Sequence, residues 1–390
     1  MTFDFDKYIN REATQSVKFD GRQQYFGTSD VSPLWVADMD FAVPECVTQA
    51  LQTRLDHPVF GYTIYPESLY QSIIDWFVRR HNWVIEPEWI LMAPGIVPSL
   101  FAAVQAFTQE GEGVIVQSPV YFPFFSAVET NHRKLINNPL REINGRYEID
   151  FEHLESCAKQ NARLLLLCTP HNPVGRVWSK EELEQVLEIA RRYDLTILSD
   201  DIHCDLVYSG VTHNILGRLA QPGDKIITTI APNKTFNIPG LGLSALVIPD
   251  AVQRRAMKQT FERLHVGNYN PFSIVAFEAA YRGGDKWLDA LMSYLEKTRD
   301  FVADFIEKNI PKIKMVKPEA TYLLWLDCRG LGMSDIALKE FFIKQCKLGL
   351  NPGAVFGDGG SGFMRMNIGT PRENVRNALF SIAEQLNQKL

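Results

Sequence analysis

The middle of the chain alternates short, nearly continuous apolar runs with amphipathic stretches of helical period. Five runs read as strands: 114–117, 163–168, 195–199, 225–230 and 244–248. They are rich in Val, Ile and Leu and lack the polar alternation of a half-exposed strand, as expected of strands covered on both faces. Between the second and third lies Ser179-Lys180-Glu181-Glu182, a capping-box signature that opens an amphipathic helix to about Tyr193. Strand, helix, strand at this spacing predicts a βαβ unit and a largely parallel sheet. Another helix is predicted after Pro94-Gly95, running to about Thr108. Toward the C-terminus, 322–327 reads as a strand, and a last helix starts at about Arg372. These later elements predict a smaller α+β domain, joined by the N-terminal arm. The expected division is an arm and part of the small domain over 1–48, a large domain over 49–285 and a C-terminal small domain over 286–390. Gly283-Gly284 is a weak break at the second boundary.

Length and composition narrow the function. A chain of 390 residues is comfortable for two domains. The net charge of −6 gives no basic footprint for nucleic acid. Cys46, Cys157, Cys168, Cys204, Cys328 and Cys346 are scattered, with no Cys-x-x-Cys, so neither a disulfide framework nor a zinc site is expected. Reduced thiols, and hence a cytoplasmic location, are the expectation. The start, Met1-Thr2-Phe3-Asp4-Phe5-Asp6, has no basic and apolar leader pattern, and no run approaches the ~18 apolar residues of a membrane span.

Chemistry enters at the strand ends. In open parallel sheets, ligands bind beyond the carboxyl ends of the strands. Tyr121 follows the first predicted strand, Asn172 the second, Asp200 the third and Lys234 the fourth. An amide, a carboxylate and an amine on one sheet edge form the set needed to hold a pyridoxal phosphate ring. Asn can bond the phenolic oxygen, Asp can pair with the pyridine nitrogen, and Lys can form the Schiff base.

Each residue has a plainer reading. Lys234 alone would pass for a loop lysine; a Schiff-base lysine must be partly desolvated, and Phe236, Ile238 and Leu241 follow it in sequence. Asp200 and Asp201 point to opposite faces at a strand end, so one of them faces the ligand, and Asp200 is the stronger candidate. Helix capping is the competing role for either. Asn172 could simply hold an Asx-turn. Tyr121 could stack on a ring or pack with the aromatic residues after it. Gly95, Ile96 and Val97 open a helix whose N-terminus suits a phosphate. Arg365 sits in the alternating apolar run Phe363-Met364-Arg365-Met366-Asn367 and needs a partner. A bidentate grip on a substrate carboxylate competes with a structural ion pair. His203 reads as a satisfied structural group, and no metal-ligand spacing is evident.

Several segments together carry a resemblance. They are Trp35-Val36-Ala37-Asp38-Met39-Asp40-Phe41, Phe60-Gly61-Tyr62, Ser118-Pro119-Val120-Tyr121, His171-Asn172-Pro173-Val174-Gly175, Ser199-Asp200-Asp201-Ile202-His203, Lys234-Thr235-Phe236-Asn237-Ile238-Pro239-Gly240 and Thr321-Tyr322-Leu323-Leu324-Trp325-Leu326-Asp327. Over essentially its whole length the chain resembles the fold-type I pyridoxal-phosphate enzymes of the class I/II aminotransferase superfamily. It is most similar to the MalY/PatB group of cystathionine β-lyases.

The resemblance implies an α/β fold with a mostly parallel seven-stranded sheet in the large domain, plus a smaller α+β domain. It implies pyridoxal 5′-phosphate as cofactor and α,β-elimination from a sulfur amino acid, giving thiol, pyruvate and ammonia. Lys234 would be the Schiff-base lysine and proton shuttle, Asp200 the partner of the ring nitrogen, Asn172 of the ring oxygen, and Tyr121 the stacking ring. Gly95, Ile96 and Val97 would cradle the phosphate. Arg365 would hold the substrate carboxylate, with Ala37, Asn172 and Tyr62 also at the substrate. Tyr62 would reach the neighbouring subunit's phosphate, which implies a homodimer with a shared site. The group often has Ser-Asp-Glu where this chain has Ser199-Asp200-Asp201. It often has Ser before the lysine, where this chain has Asn233, so the phosphate contact is either weaker or carried by the Asn233 amide. An aminotransferase would use the same residues. A non-catalytic regulator on this fold would carry a basic DNA-binding arm, which the sequence lacks.

Overall fold

The computed structural model describes residues 3–267 and 270–387. Its large sheet has seven strands in the order Ile90–Ala93, Ser244–Val247, Ile226–Ile230, Thr196–Asp200, Ala162–Cys168, Gly113–Val116 and Lys134–Asn137. The last five of these run parallel to one another. Ser244–Val247 is antiparallel to both of its neighbours, which departs from the parallel reading of that run. Its four residues are all buried, so nothing in its apolar pattern encoded direction. The two edge strands, Ile90–Ala93 and Lys134–Asn137, were not predicted; each has four residues, too few for a clear period.

Period 2 sorts the side chains of the central strands into two layers. Leu164, Leu166, Leu198 and Ile227 pack with Leu100, Val104, Met257 and Phe261, from the helices Ile96–Phe107 and Ala251–Arg263. Leu165, Leu167 and Ile197 pack on the other face with Leu183, Val186 and Leu187 of the helix Lys180–Arg192. That helix opens on the predicted capping box. Ser179 Oγ accepts from the Glu182 amide at 3.2 Å, and Glu182 Oε2 accepts from the Ser179 amide at 2.7 Å.

The C-terminal third builds a second, antiparallel sheet from Lys314–Val316, Leu323–Asp327, Phe363–Asn367 and Asn351–Pro352. The helices Asp285–Asn309 and Arg372–Asn387 accompany it. Ser32–Pro33 pairs with Leu348–Gly349, so the N-terminal segment joins the C-terminal elements. The chain then crosses between the two sheets at 35–41, where it meets the carboxyl ends of the parallel strands.

Candidate active site

The parallel order carries the site. Neighbouring strands end at Val116, Cys168, Asp200 and Ile230, and the chain beyond the same edge carries Tyr121, Asn172 and Lys234. Asp200 is itself the last residue of its strand rather than one just past it. These four residues line one cavity of about 260 Å³, together with Gly95, Ile96, Val97, Asn233, Ala37 and His203. Ten of the twelve residues assigned from the sequence or found here to bear on the ligand thus share one wall; Arg365 and Tyr62 do not. Arg365 comes from the second sheet and reaches the cavity through Asn172. Tyr62 lies outside, fully exposed in a stretch where Val59, Phe60 and Ile64 are exposed too.

Lys234 is half-buried, and its Nζ donates to the Ala37 carbonyl at 2.6 Å. Burial pushes the amine down to about 8; the charges of Asp38 and Asp200 oppose this and Arg365 adds to it. A minor but accessible neutral fraction is therefore present near neutrality, as a nucleophile or base requires. Asp200 is buried, and desolvation pushes it up to about 7, with Asp201 adding to the rise. The amide of Ile202 and the hydroxyl of Thr229 donate to it, each at 3.3 Å. A carboxylate this poorly compensated gains most from a protonated ring nitrogen placed against it.

Asp201, the weaker of the two aspartate candidates, turns away. Its Oδ1 lies 2.8 Å from His213 Nε2, and both side chains are buried. The competing structural roles of Asn172 and Arg365 are also set aside by their contacts. Asn172 Oδ1 accepts from Arg365 Nη1 at 3.0 Å rather than from its own turn, and its NH₂ has no hydrogen-bond partner among the described residues. Arg365 has no carboxylate within reach among the described residues. Its Nη2 donates to Trp35 O at 3.0 Å and Asn351 Oδ1 at 2.7 Å, and its buried Nε has no partner. Burial pushes it down to about 10, so it remains a cation at neutral pH.

His203 contradicts its reading as a satisfied group. It is buried in the cavity wall, edge-on to Tyr322, and its buried Nδ1 has no hydrogen-bond partner among the described residues. Burial, then Lys234 and Arg365, push it down to about 3, so it is a neutral imidazole. Its position three residues beyond Asp200 was the available signal. The fold also gathers His81, Cys204 and Asp205 within 4.8 Å, although no sequence spacing announced a cluster. Both Asp205 oxygens are taken, by Trp76, His81 and Thr235.

The segment 35–41 covers the site, and sequence reading missed how it is held. Every carbonyl from Trp35 to Met39 accepts from a side chain. Arg365 meets Trp35; Asn367 meets Val36 and Asp38; Lys234 and Tyr322 meet Ala37; Asn237 meets Met39. Among the described residues its one backbone hydrogen bond runs from the Asp40 amide to Gly369 O at 2.7 Å, so side chains largely fix its path.

The cavity fits pyridoxal phosphate on its own polar inventory. The unpaired amide of Asn172 suits the phenolic oxygen, and the carboxylate of Asp200 suits the ring nitrogen. Ile96 and Val97 present first-turn amides at a helix start in the cavity lining, which suits a phosphate. Gly95 adopts φ +155°, a conformation that side chains rarely take.

The family model described as aminotransferase class I and II matches residues 29–382. Cystathionine beta-lyase PatB of Bacillus subtilis is 44% identical over 98% of this chain and 99% of its own. Protein MalY of Escherichia coli is 33% identical over 96% of both. The structure of cystalysin from Treponema denticola, which contains pyridoxal 5′-phosphate, superposes with a TM-score of 0.97. It is 38% identical and covers 100% of both chains.

Proposed function

The chain belongs to the class I and II aminotransferase family, and we propose that it is a pyridoxal-phosphate-dependent carbon–sulfur β-lyase that cleaves cystathionine or another cysteine S-conjugate. The observation that carries this choice of reaction is the near-complete likeness to PatB. The residues alone serve an aminotransferase equally well up to loss of the Cα proton.

When bound, pyridoxal phosphate supplies an electron sink that allows Cα to lose a proton and Cβ to lose its sulfur. The protein supplies the rest. Arg365 takes the substrate carboxylate through Nε and a terminal nitrogen, which fixes Cα beside Lys234. The neutral Lys234 amine accepts the Cα proton. Asp200 holds a proton at the ring nitrogen, and the Asn172 amide donates at the ring oxygen. The Cβ–S bond breaks with its electron pair on sulfur, which leaves as a thiol after protonation. Hydrolysis of the remaining aminoacrylate gives pyruvate and ammonia.

The fully exposed Tyr62, with Val59, Phe60 and Ile64 around it, supports a homodimer in which this stretch reaches the neighbouring subunit's phosphate site. No disulfide joins any of the six cysteines and five of them are buried, which suits a reducing compartment such as the cytoplasm. No helix among the described residues is long and apolar enough to cross a membrane.

The test is incubation of cofactor-loaded protein with L-cystathionine, following pyruvate and free thiol with and without 2-oxoglutarate. Equal pyruvate and thiol without the oxo acid is the expected result. Glutamate formed only with the oxo acid, and no thiol, would make the protein an aminotransferase on the same site.

A further inference from the structure

The strap at 35–41 has an outer side as well as an inner one, and the reaction described above leaves its charges without a role. Arg11 forks onto Asp38, with Nη1 and Nη2 at 2.9 and 2.8 Å from the two carboxylate oxygens. The same Nη1 lies 2.7 Å from Asp40 Oδ1. Lys18 is fully buried, and its Nζ sits 3.0 Å from both Asp40 oxygens and 3.6 Å from Asp38 Oδ1. Two cations thus meet two carboxylates, and the cluster carries no net charge. A buried lysine is costly unless compensated, so this closed set holds the arm onto the strap.

The cluster bears directly on the reacting group. Asp38 is the residue after Ala37, whose carbonyl accepts from Lys234. Burial pushes Lys234 down, and Asp38 is the foremost of the charges that push it back up. Arg11 and Lys18 are the groups that offset Asp38. The other groups facing Lys234 are separate. Asp200 comes from a strand end, Arg365 from the second sheet, and His203, Tyr322 and Tyr121 are uncharged; none of them bonds the carboxylates of Asp38 or Asp40.

We propose that Arg11 and Lys18 are positioning residues for Lys234: by neutralising Asp38 and Asp40 they fix the strap that presents the Ala37 carbonyl and set the charge that Lys234 meets across it. This rests on the reading of Lys234 as the cofactor-bearing base. It makes the N-terminal arm part of the tuning of the site rather than a packing element alone. Arg11 and Asp38 should therefore act on Lys234 in opposite directions, which loosened packing cannot imitate.

The test uses Arg11→Gln, Lys18→Met, Asp38→Asn and the conservative Arg11→Lys. Two readouts apply. One is the pH titration of visible absorbance in the cofactor-loaded protein. The other is the pH dependence of Lys234 trinitrophenylation in the cofactor-free protein, read on its peptide by mass spectrometry. Arg11→Gln and Lys18→Met should move both midpoints up, and Asp38→Asn should move them down. The expected size is about half a pH unit, below the roughly 1–3 units of an opposite charge in direct contact. Arg11→Lys should restore the parent midpoint. Midpoints that stay with the parent, or that move in one direction in all variants, overturn the proposal. If the buried Lys18→Met variant does not fold, Arg11→Gln and Asp38→Asn still decide, because Arg11 is one-fifth exposed at 21%. Failure of the site reading looks different: the parent itself would show no visible band, while the labelling midpoints would still answer for the clamp.

Discussion

Arg365 donates to the Oδ1 of Asn172, so this buried cation decides which end of the Asn172 amide faces the cavity. One contact orients two side chains. Arg365→Ala should lower kcat/KM by the equivalent of about 2–5 kcal/mol, as loss of a buried charge contact does. Arg365→Lys should rescue little, since a point charge cannot serve Asn172, Trp35 and Asn351 together. Steady-state kinetics on both variants checks this, and unchanged constants would remove Arg365 from the site.

Lys234→Ala should abolish both the visible band of the loaded protein and its turnover. Among the described residues no other lysine lines the cavity to replace it. Absorbance and thiol release read the two losses separately, and retained activity would refute the assignment.

Asp200 links the site to stability. Its folded value of about 7 lies above the ordinary carboxylate value of 3.8, so the folded state holds the extra proton between them. Stability of the cofactor-free protein should therefore fall through this group as pH rises from about 4 to about 7. Asp200→Asn should stabilise the cofactor-free protein at pH 8 by up to about 4 kcal/mol, at about 1.4 kcal/mol per unit, and do little at pH 3.5. It should also weaken cofactor binding. Thermal melts at the two pH values and a cofactor titration test the pair of effects.

Gly175 ties the Asn172 loop to the second sheet. It adopts φ +71°, and a Cβ there would lie 2.5 Å from Pro318 Cβ. Its carbonyl accepts from the amides of Glu319 and Ala320 at 2.8 and 3.2 Å. Gly175→Ala should cost about 2–4 kcal/mol through strain and overpacking together. The denaturant midpoint should drop, and cofactor affinity should fall because the same loop carries Asn172.

Tyr62 and Lys234 should complement. If Tyr62 acts across a dimer, mixing inactive Tyr62→Phe and Lys234→Ala chains restores one intact site per heterodimer. Verified heterodimers without activity would argue against a shared site.

The groups at the strand ends were legible because a parallel sheet converts sequence position into place. Asn172, Asp200 and Lys234 each close a buried apolar run, and neighbouring strands bring them together. The direction of Ser244–Val247 was not legible, since burial on both faces leaves the same pattern for either direction. The state of His203 was hidden because lack of a partner is a property of surroundings, not of a residue type. The clamp was hidden for a related reason. Arg11, Lys18, Asp38 and Asp40 read as ordinary arm charges until the fold buries Lys18. The segment 35–41 could be quoted as a resemblance, yet its contacts with Asn237 and Asn367 lie at separations of 198 and about 330 residues, beyond any local pattern.

Those separations bear on how the molecule assembles. The Trp35 carbonyl takes its hydrogen bond from a side chain 330 positions later. Apart from the arm residues Arg11 and Lys18, the strap's partners lie about 200 or more positions later, so it gains little from early local structure. The strap should close after both sheets have formed, and it should be among the first parts to let go under mild denaturant. Refolding chains would then regain their secondary structure before they regain competence, and the last stretch to settle would be one of the first synthesised.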